Sequence, residues 1–392
     1  MFTGLIIVLL VTVVSSSNNK IPREDTVSPR MVDPYQHAVE LLSKHPLIDG
    51  HDDLAEWLRG AVKNHLSQVD LSGHVNGSQA DIPRLLKGKL GAQFWSAYMS
   101  CKSQYLDATR TFIDQIDVIK RFVAQYPIFK YATSADELHN AFVTGHIASL
   151  IGVEGGHAID SSLATLRQLY DLGVRYMTLT HTCDTPWADT CSIPGPPRHG
   201  GLNDFGTRVV KEMNRLGMMV DISHVSATTM RVVLNTTLAP VIFSHSSAYA
   251  LCDNPRNVPD DVLQQMPANG GVVMVNFYPN FINCSPNASL SQVADHIDHI
   301  KKMAGVDHVG IGSDFNGIEA VPVGLEDVSK YPDLFAELIN RGYSDEELIA
   351  IAGENLMRVF RKVESVRDSM SHIPPDDTLI DPQPSETCRP DF

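Results

Sequence analysis

Three observations predict an α/β fold, a (β/α)8 TIM-like barrel. Short apolar runs alternate with segments of helical period, eight such runs can be counted, and most of the notable His, Asp and Glu residues fall just beyond the run ends. Alternation of this kind implies parallel strands joined by helices, and in a closed barrel the C-terminal strand ends carry the chemistry.

The strands are expected at residues 46–50, 90–98, 147–153, 175–180, 218–222, 240–243, 271–277 and 309–312, and helices at 107–124, 163–172, 205–216, 259–266 and 292–304. Ser134-Ala-Asp-Glu137 and Ser344-Asp-Glu-Glu347 have the spacing of a capping box, in which serine and glutamate satisfy free backbone donors at a helix start. An open doubly wound sheet would favour a Gly-rich phosphate turn after the first strand, and Asp49-Gly-His-Asp-Asp53 is not one.

The chain has 392 residues, 43% hydrophobic and 20% charged, an ordinary composition for a globular protein with a large core. Residues 1–17 read as a secretory signal peptide: an apolar run over 5–14 ends in Ser15, Ser16 and Ser17. That run is shorter than the about 20 residues a membrane anchor needs. Residues 18–370 form the barrel domain, and a shift to Pro, Asp and Thr marks 371–392 as an extended tail.

Six cysteines suit an oxidising compartment, and sequons at Asn76, Asn235, Asn283 and Asn287 offer glycan acceptors there. A formal charge of -15 argues against nucleic acid as a partner, because phosphate backbones are bound by clustered Lys and Arg.

His51 and Asp53 follow the first strand one residue apart, so strand alternation turns both to the same side and lets the pair chelate one metal. Glu154 follows a strand and precedes two glycines, where a carboxylate can bridge two cations; alone it would read as a surface loop residue. His224 and His245 end consecutive strands at the same level, a repetition that core packing does not explain. Such ligands suit zinc, manganese or non-haem iron, with zinc favoured.

Asp314 ends the eighth strand, where it can act as general base and then general acid, although an isolated Asp there also reads as a helix cap. His181 ends the fourth and can hydrogen-bond an oxygen gaining charge. Arg256 lies in the loop after the sixth, and its planar fork suits a carboxylate.

The stretches IDGHDDL, GAQFWS, SLIGVEGGH, YMTLTHTCDTPWAD, VDISHVS, PVIFSHSSAY, RNVPDD, MVNFY and GIGSDFNG resemble the membrane dipeptidase (renal dipeptidase) family, from about residue 35 to the C-terminus. The resemblance implies a zinc-dependent dipeptidase on a barrel of the metal-dependent hydrolase type. It implies two Zn2+ per subunit, with His51 and Asp53 on one ion, His224 and His245 on the other, and Glu154 bridging. It also implies that a hydroxide shared by the ions attacks the peptide carbonyl, with Asp314 handling the proton, His181 assisting the carbonyl and Arg256 binding the terminal carboxylate. Members cleave dipeptides broadly, including those ending in a D-residue. Disulfides Cys101–Cys183 and Cys252–Cys284 are implied as well, leaving Cys388 for a bond between two subunits of a homodimer.

Four features depart from the family pattern. Asp52 stands where Asn is usual, and alternation points it away from the metals; the aromatic after the motif, Trp57, comes one position late; Cys191 is an additional cysteine; and the chain ends without the apolar tail that a GPI signal needs, which predicts a released protein. Two other readings compete with the dipeptidase: a metal-dependent amidohydrolase acting on cyclic amides or esters, and a secreted binding glycoprotein that kept the barrel but lost catalysis. The joint presence of every part a two-metal mechanism needs favours the enzyme.

Overall fold

A computed structural model describes residues 1, 8–13 and 33–380. Most of the signal-peptide segment, the end of the tail and Cys388 lie outside the described residues. Residues 8–13 carry no regular secondary structure, and among the described residues no helix is long and apolar enough to cross a membrane.

From Pro34 onward the chain forms nine parallel strands: β1 Leu47–Asp52, β2 Leu90–Tyr98, β3 Phe129–Tyr131, β4 Ile147–Glu154, β5 Val174–Thr178, β6 Met219–Asp221, β7 Ile242–Phe243, β8 Val272–Val275 and β9 Val309–Ile311. Eight of them follow the order β2-β1-β9-β8-β7-β6-β5-β4, and pairing of β2 with β4 closes the ring. This is the expected (β/α)8 barrel. Apart from β3, Tyr98 in β2 and Arg175 in β5, the strand positions are buried, as covering a parallel sheet on both faces requires. That is why these strands read as near-continuous apolar runs.

The ninth strand was not foreseen. β3 pairs with the first half of β4, Phe129 opposite Ile147 and Tyr131 opposite Ser149, and β5 joins β4 only from Ile151 onward. At three residues, with one of them exposed, β3 is too short to give an apolar signal.

Two helix expectations change in detail. The segment 259–266 is two short helices, Asp260–Leu263 and Met266–Asn269, because Pro267 has no N–H to continue the first and instead sits in the opening turn of the second. Ser344 and Glu347 form the full capping box, but at Ser134 only half of it forms. Glu137 Oε2 accepts instead from the backbone N and hydroxyl of Thr133, a partner offering two donors.

Alternate strand residues, including Ile48, Phe94, Leu150, Tyr176, Ile242 and Met274, fill the barrel interior and pack with the helix Asn355–Ser369. A larger apolar layer lies between the strands and the surrounding helices. At the start of the tail, Asp376 is held by Arg208 and by the side chains of Arg167 and Glu212.

Two buried carboxylates tie the strand ends together. Asp49 accepts from the backbone N–H groups of His51 and Ser313 and from the hydroxyls of Ser313 and Tyr331. Asp221 accepts from the backbone of Ser223 and Ser244 and from the hydroxyls of Thr178 and Ser244. Buried polar groups are costly without partners, and at both carboxylates these donors supply them. Asp49→Ala leaves its donors without an acceptor and should destabilise the fold by about 3 kcal/mol; urea unfolding should show a lower midpoint, and an unchanged one would contradict the tie.

Candidate active site

The ends of β1 and β4 and the loops after β5, β6, β7 and β9 converge at one mouth of the barrel. Glu154 Oε1 lies 3.0 Å from His224 Nε2, 3.2 Å from His245 Nε2, 3.5 Å from His51 Nε2 and 3.9 Å from His181 Nε2. His51 Nε2 lies 3.2 Å from Asp53 Oδ2 and 4.0 Å from Asp314 Oδ1. All seven side chains named for metal binding, proton handling or carbonyl assistance therefore share one cavity rim. Asp52, on the opposite face of the strand, turns away and accepts from the Leu54 backbone and from Asn316 Nδ2.

Hydrogen bonds on the outer side of the imidazoles decide which nitrogen faces inward. The Tyr176 hydroxyl donates to the Gly50 carbonyl at 3.1 Å, so its oxygen is left to accept from His51 Nδ1 at 2.8 Å. Ser244 Oγ donates to Asp221 at 2.6 Å and so accepts from His245 Nδ1 at 2.7 Å. Both arrangements keep the Nδ1 proton on the outer side and turn Nε2 inward, the orientation a metal-binding histidine needs.

The residues present fit a divalent metal. His51 Nε2 and Asp53 Oδ1 are buried without a hydrogen-bond partner. His224 Nε2 and His245 Nε2 lie only 2.9 Å apart. Burial, with Arg256 and the other imidazoles, holds His224 and His245 well below the ordinary histidine range, in the neutral form that ligates. At His51 burial works the same way, but Tyr176, Asp53 and Glu154 together overcome it and hold the ring well above that range. The carboxylates thus draw positive charge into the site.

The flanking residues are similarly perturbed. Burial raises Asp314 to about 7, with Asp53 and Glu154 adding to the shift against the pull of His51. His181 is pushed down to about 3 by burial and the positive groups around it. Asp314 and His224 have left-handed backbone, with φ of 68° and 63°, conformations that non-glycine residues hold only where the surroundings fix them. Asn276 Nδ2 donates to Asp314 Oδ2 at 2.8 Å and leaves Oδ1 facing His51.

The metal-side cavity, about 310 Å³, is bordered by Glu56, Tyr98, Tyr278 and Phe281 as well as by these residues. A neighbouring hollow of about 410 Å³ shares Thr182, His224 and Phe281 with it and reaches Arg256. Arg256 is 4% exposed; it donates to Ser246 Oγ at 2.6 Å and to the His245 carbonyl at 2.7 Å. Its Nε has no partner, and no carboxylate pairs with it among the described residues. A larger hollow of about 550 Å³ lies against the exposed segment 193–198 and meets the Arg256 hollow at Cys191, Pro194 and Pro255.

Both implied disulfides, Cys101–Cys183 and Cys252–Cys284, are present, and Cys191 is free. All four sequon asparagines, Asn76, Asn235, Asn283 and Asn287, are exposed.

Tyr176, Asp221, Ser244 and Asn276 support the site, yet sequence reasoning passes over them. Each lies in or beside an apolar run; a polar residue inside such a run is the available signal. Two glycines also escape notice. A Cβ on Gly152 would fall 2.0 Å from the Tyr176 ring, and one on Gly317 would fall 2.2 Å from Asp53 Oδ2 and 2.8 Å from Asp314 Oδ1. Gly317→Ala should therefore displace the Asp53 carboxylate and weaken metal retention about 10- to 100-fold, the usual range for disturbing a ligand's support. Metal content after dialysis against a graded chelator checks this, with circular dichroism as the control for folding.

Residues 35–374 match the family described as membrane dipeptidase, peptidase family M19. Dipeptidase 3 of Mus musculus is 47% identical over 361 residues, spanning 90% of this chain and 72% of that protein. Dipeptidase aclJ of Aspergillus oryzae is 47% identical over 349 residues, 86% of this chain and 82% of its own. Among solved structures, a metallo peptidase from Rhodobacter sphaeroides, liganded with a phosphinate mimic of the dipeptide L-Ala-D-Ala, superposes with a TM-score of 0.72 at 25% identity. That match covers 81% of this chain and 99% of the other. Dipeptidase AC, also a metallo peptidase, gives 0.74 at 26% identity, covering 81% and 98%. With two-thirds and more of each relative covered and the family pattern running through nearly all of the folded chain, this protein belongs to the membrane dipeptidase family of metallopeptidases, M19.

Proposed function

We propose that the chain is a secreted dipeptidase that uses two zinc ions to hydrolyse the peptide bond of dipeptides, including those with a D-residue at the C-terminal position. The observation that carries this reading is the meeting of four imidazole nitrogens and the Asp53 carboxylate around Glu154, with an unpaired, buried Arg256 in the adjoining hollow.

His51 and Asp53 would hold one ion and His224 and His245 the other, with Glu154 between them; a donor set of His, Asp and Glu without Cys suits zinc. When bound, such ions acidify a water and draw electron density from the substrate carbonyl. Arg256 binds the terminal carboxylate and fixes which end of the dipeptide enters its hollow. His181, neutral and with Nε2 turned toward the site, donates to the carbonyl oxygen as it gains charge. Asp314 Oδ1 takes the proton released by the attacking water and returns it to the leaving amine; nearby cations favour its ionised form before the transfer.

Tolerance of a D-residue is supported by the ligand of the Rhodobacter sphaeroides relative and by the room around Arg256. Export is supported by two disulfides and four exposed sequons. Residues 18–370 would be the folded dipeptidase domain, and Cys388 in the tail would link a homodimer.

Glu154→Gln tests the central role. The variant should lose both zinc, counted per subunit by atomic absorption, and turnover of dipeptides; full activity would refute the bridging assignment. For the dimer, a non-reducing gel should show twice the reduced mass, and identical migration in both lanes would exclude the Cys388 link.

A further inference from the structure

Glu319 aside, Glu56 is the carboxylate of the metal-side cavity that has no duty in the reaction. It lies on the helix Leu54–Val62 directly after β1 and borders the cavity beside Asp53 and Tyr98. Asp53, Glu154 and Asp314 are committed to the metals and to proton transfer, whereas Glu56 makes no hydrogen bond or ion pair among the described residues. Glu56 also borders an outer hollow that Arg59 and Lys63 line, and neither cation pairs with it. No Lys or Arg borders the metal-side cavity, and Glu319 is the other carboxylate of its wall without a role in the reaction.

The phase of the helix explains why Glu56 borders the cavity and its neighbour does not. One residue of displacement on a helix is a rotation of about 100°. Trp57 does not border the cavity, its indole N–H donating instead to the Gly77 carbonyl at 2.7 Å, whereas Glu56 does. A half-buried carboxylate facing other carboxylates is unfavourable until a cation reaches it.

We propose that Glu56 is a specificity-determining residue that receives an ammonium group carried by the N-terminal residue of the substrate. The assignment rests on the dipeptidase reading, in particular on Arg256 holding the opposite end. With the terminal carboxylate in the Arg256 hollow and the scissile carbonyl at the metals, the N-terminal residue is left on the side of Asp53 and Glu56. Both sources of an ammonium, the α-amino group and a lysine side chain, begin there.

The test uses the full-length zinc-loaded enzyme and two substrate pairs. Lysyl-alanine against norleucyl-alanine isolates the side-chain charge, and alanyl-alanine against propionyl-alanine isolates the α-ammonium. The wild type should favour the charged member of at least one pair by about five- to tenfold in kcat/KM, the order expected for one partly screened charge pair. E56Q should reduce that preference to near parity, mainly through KM, and E56D should restore part of it. The pair that responds identifies the source. If E56Q lowers both members of each pair equally, or leaves both preferences as they were, the proposal is overturned. If the wild type with its full zinc content cleaves none of the four, the dipeptidase reading fails and this assignment falls with it.

Discussion

The site depends on one crowded point: Glu154 Oε1, buried at the barrel mouth with the inward nitrogens of four histidines between 3.0 and 3.9 Å away. Lone pairs and carboxylate charge repel one another in such a space, and the low polarity of the interior magnifies the cost. Cations relieve it. Most of the supporting structure serves to hold the donors in place for them: Tyr176 and Ser244 keep the outer nitrogens protonated, Asn276 turns one oxygen of Asp314 inward, and Gly152 and Gly317 leave room for the Tyr176 ring and for two carboxylates.

Charge is also laid out along the cleft. Acidic groups concentrate at one side, and Arg256 lies buried across Thr182, His224 and Phe281 without a counterion. An unpaired guanidinium in the interior is costly unless an anion arrives to meet it. A small zwitterion with its negative end toward Arg256 would match that layout, whereas a longer peptide would bring only a neutral amide to the same place.

Much of this arrangement was legible in the sequence because a barrel converts a linear pattern into a ring. Once the apolar runs are taken as strands of a closed sheet, residues as far apart as His51 and Asp314 must share a rim. Buried supports were legible only as polar positions inside apolar runs, as at Tyr176 and Asp221, and the partner each one holds was not. Nor were the steric roles of Gly152 and Gly317, which depend on what packs against them. Glu56 needed the phase of a short helix to be known to within one residue, finer than sequence periodicity supplies. The short strand Phe129–Tyr131 was lost for the opposite reason, having too few residues to show a period at all.

The two disulfides join loops that carry opposite walls of the cleft. Cys101 and Cys183 connect the segment beyond Tyr98 to the one beyond His181, and Cys252 and Cys284 connect the neighbourhoods of Arg256 and Phe281. Cross-linked in this way, the loops are limited in how far they can spread apart. On such a scaffold, preference among small molecules turns on the individual residues of the wall.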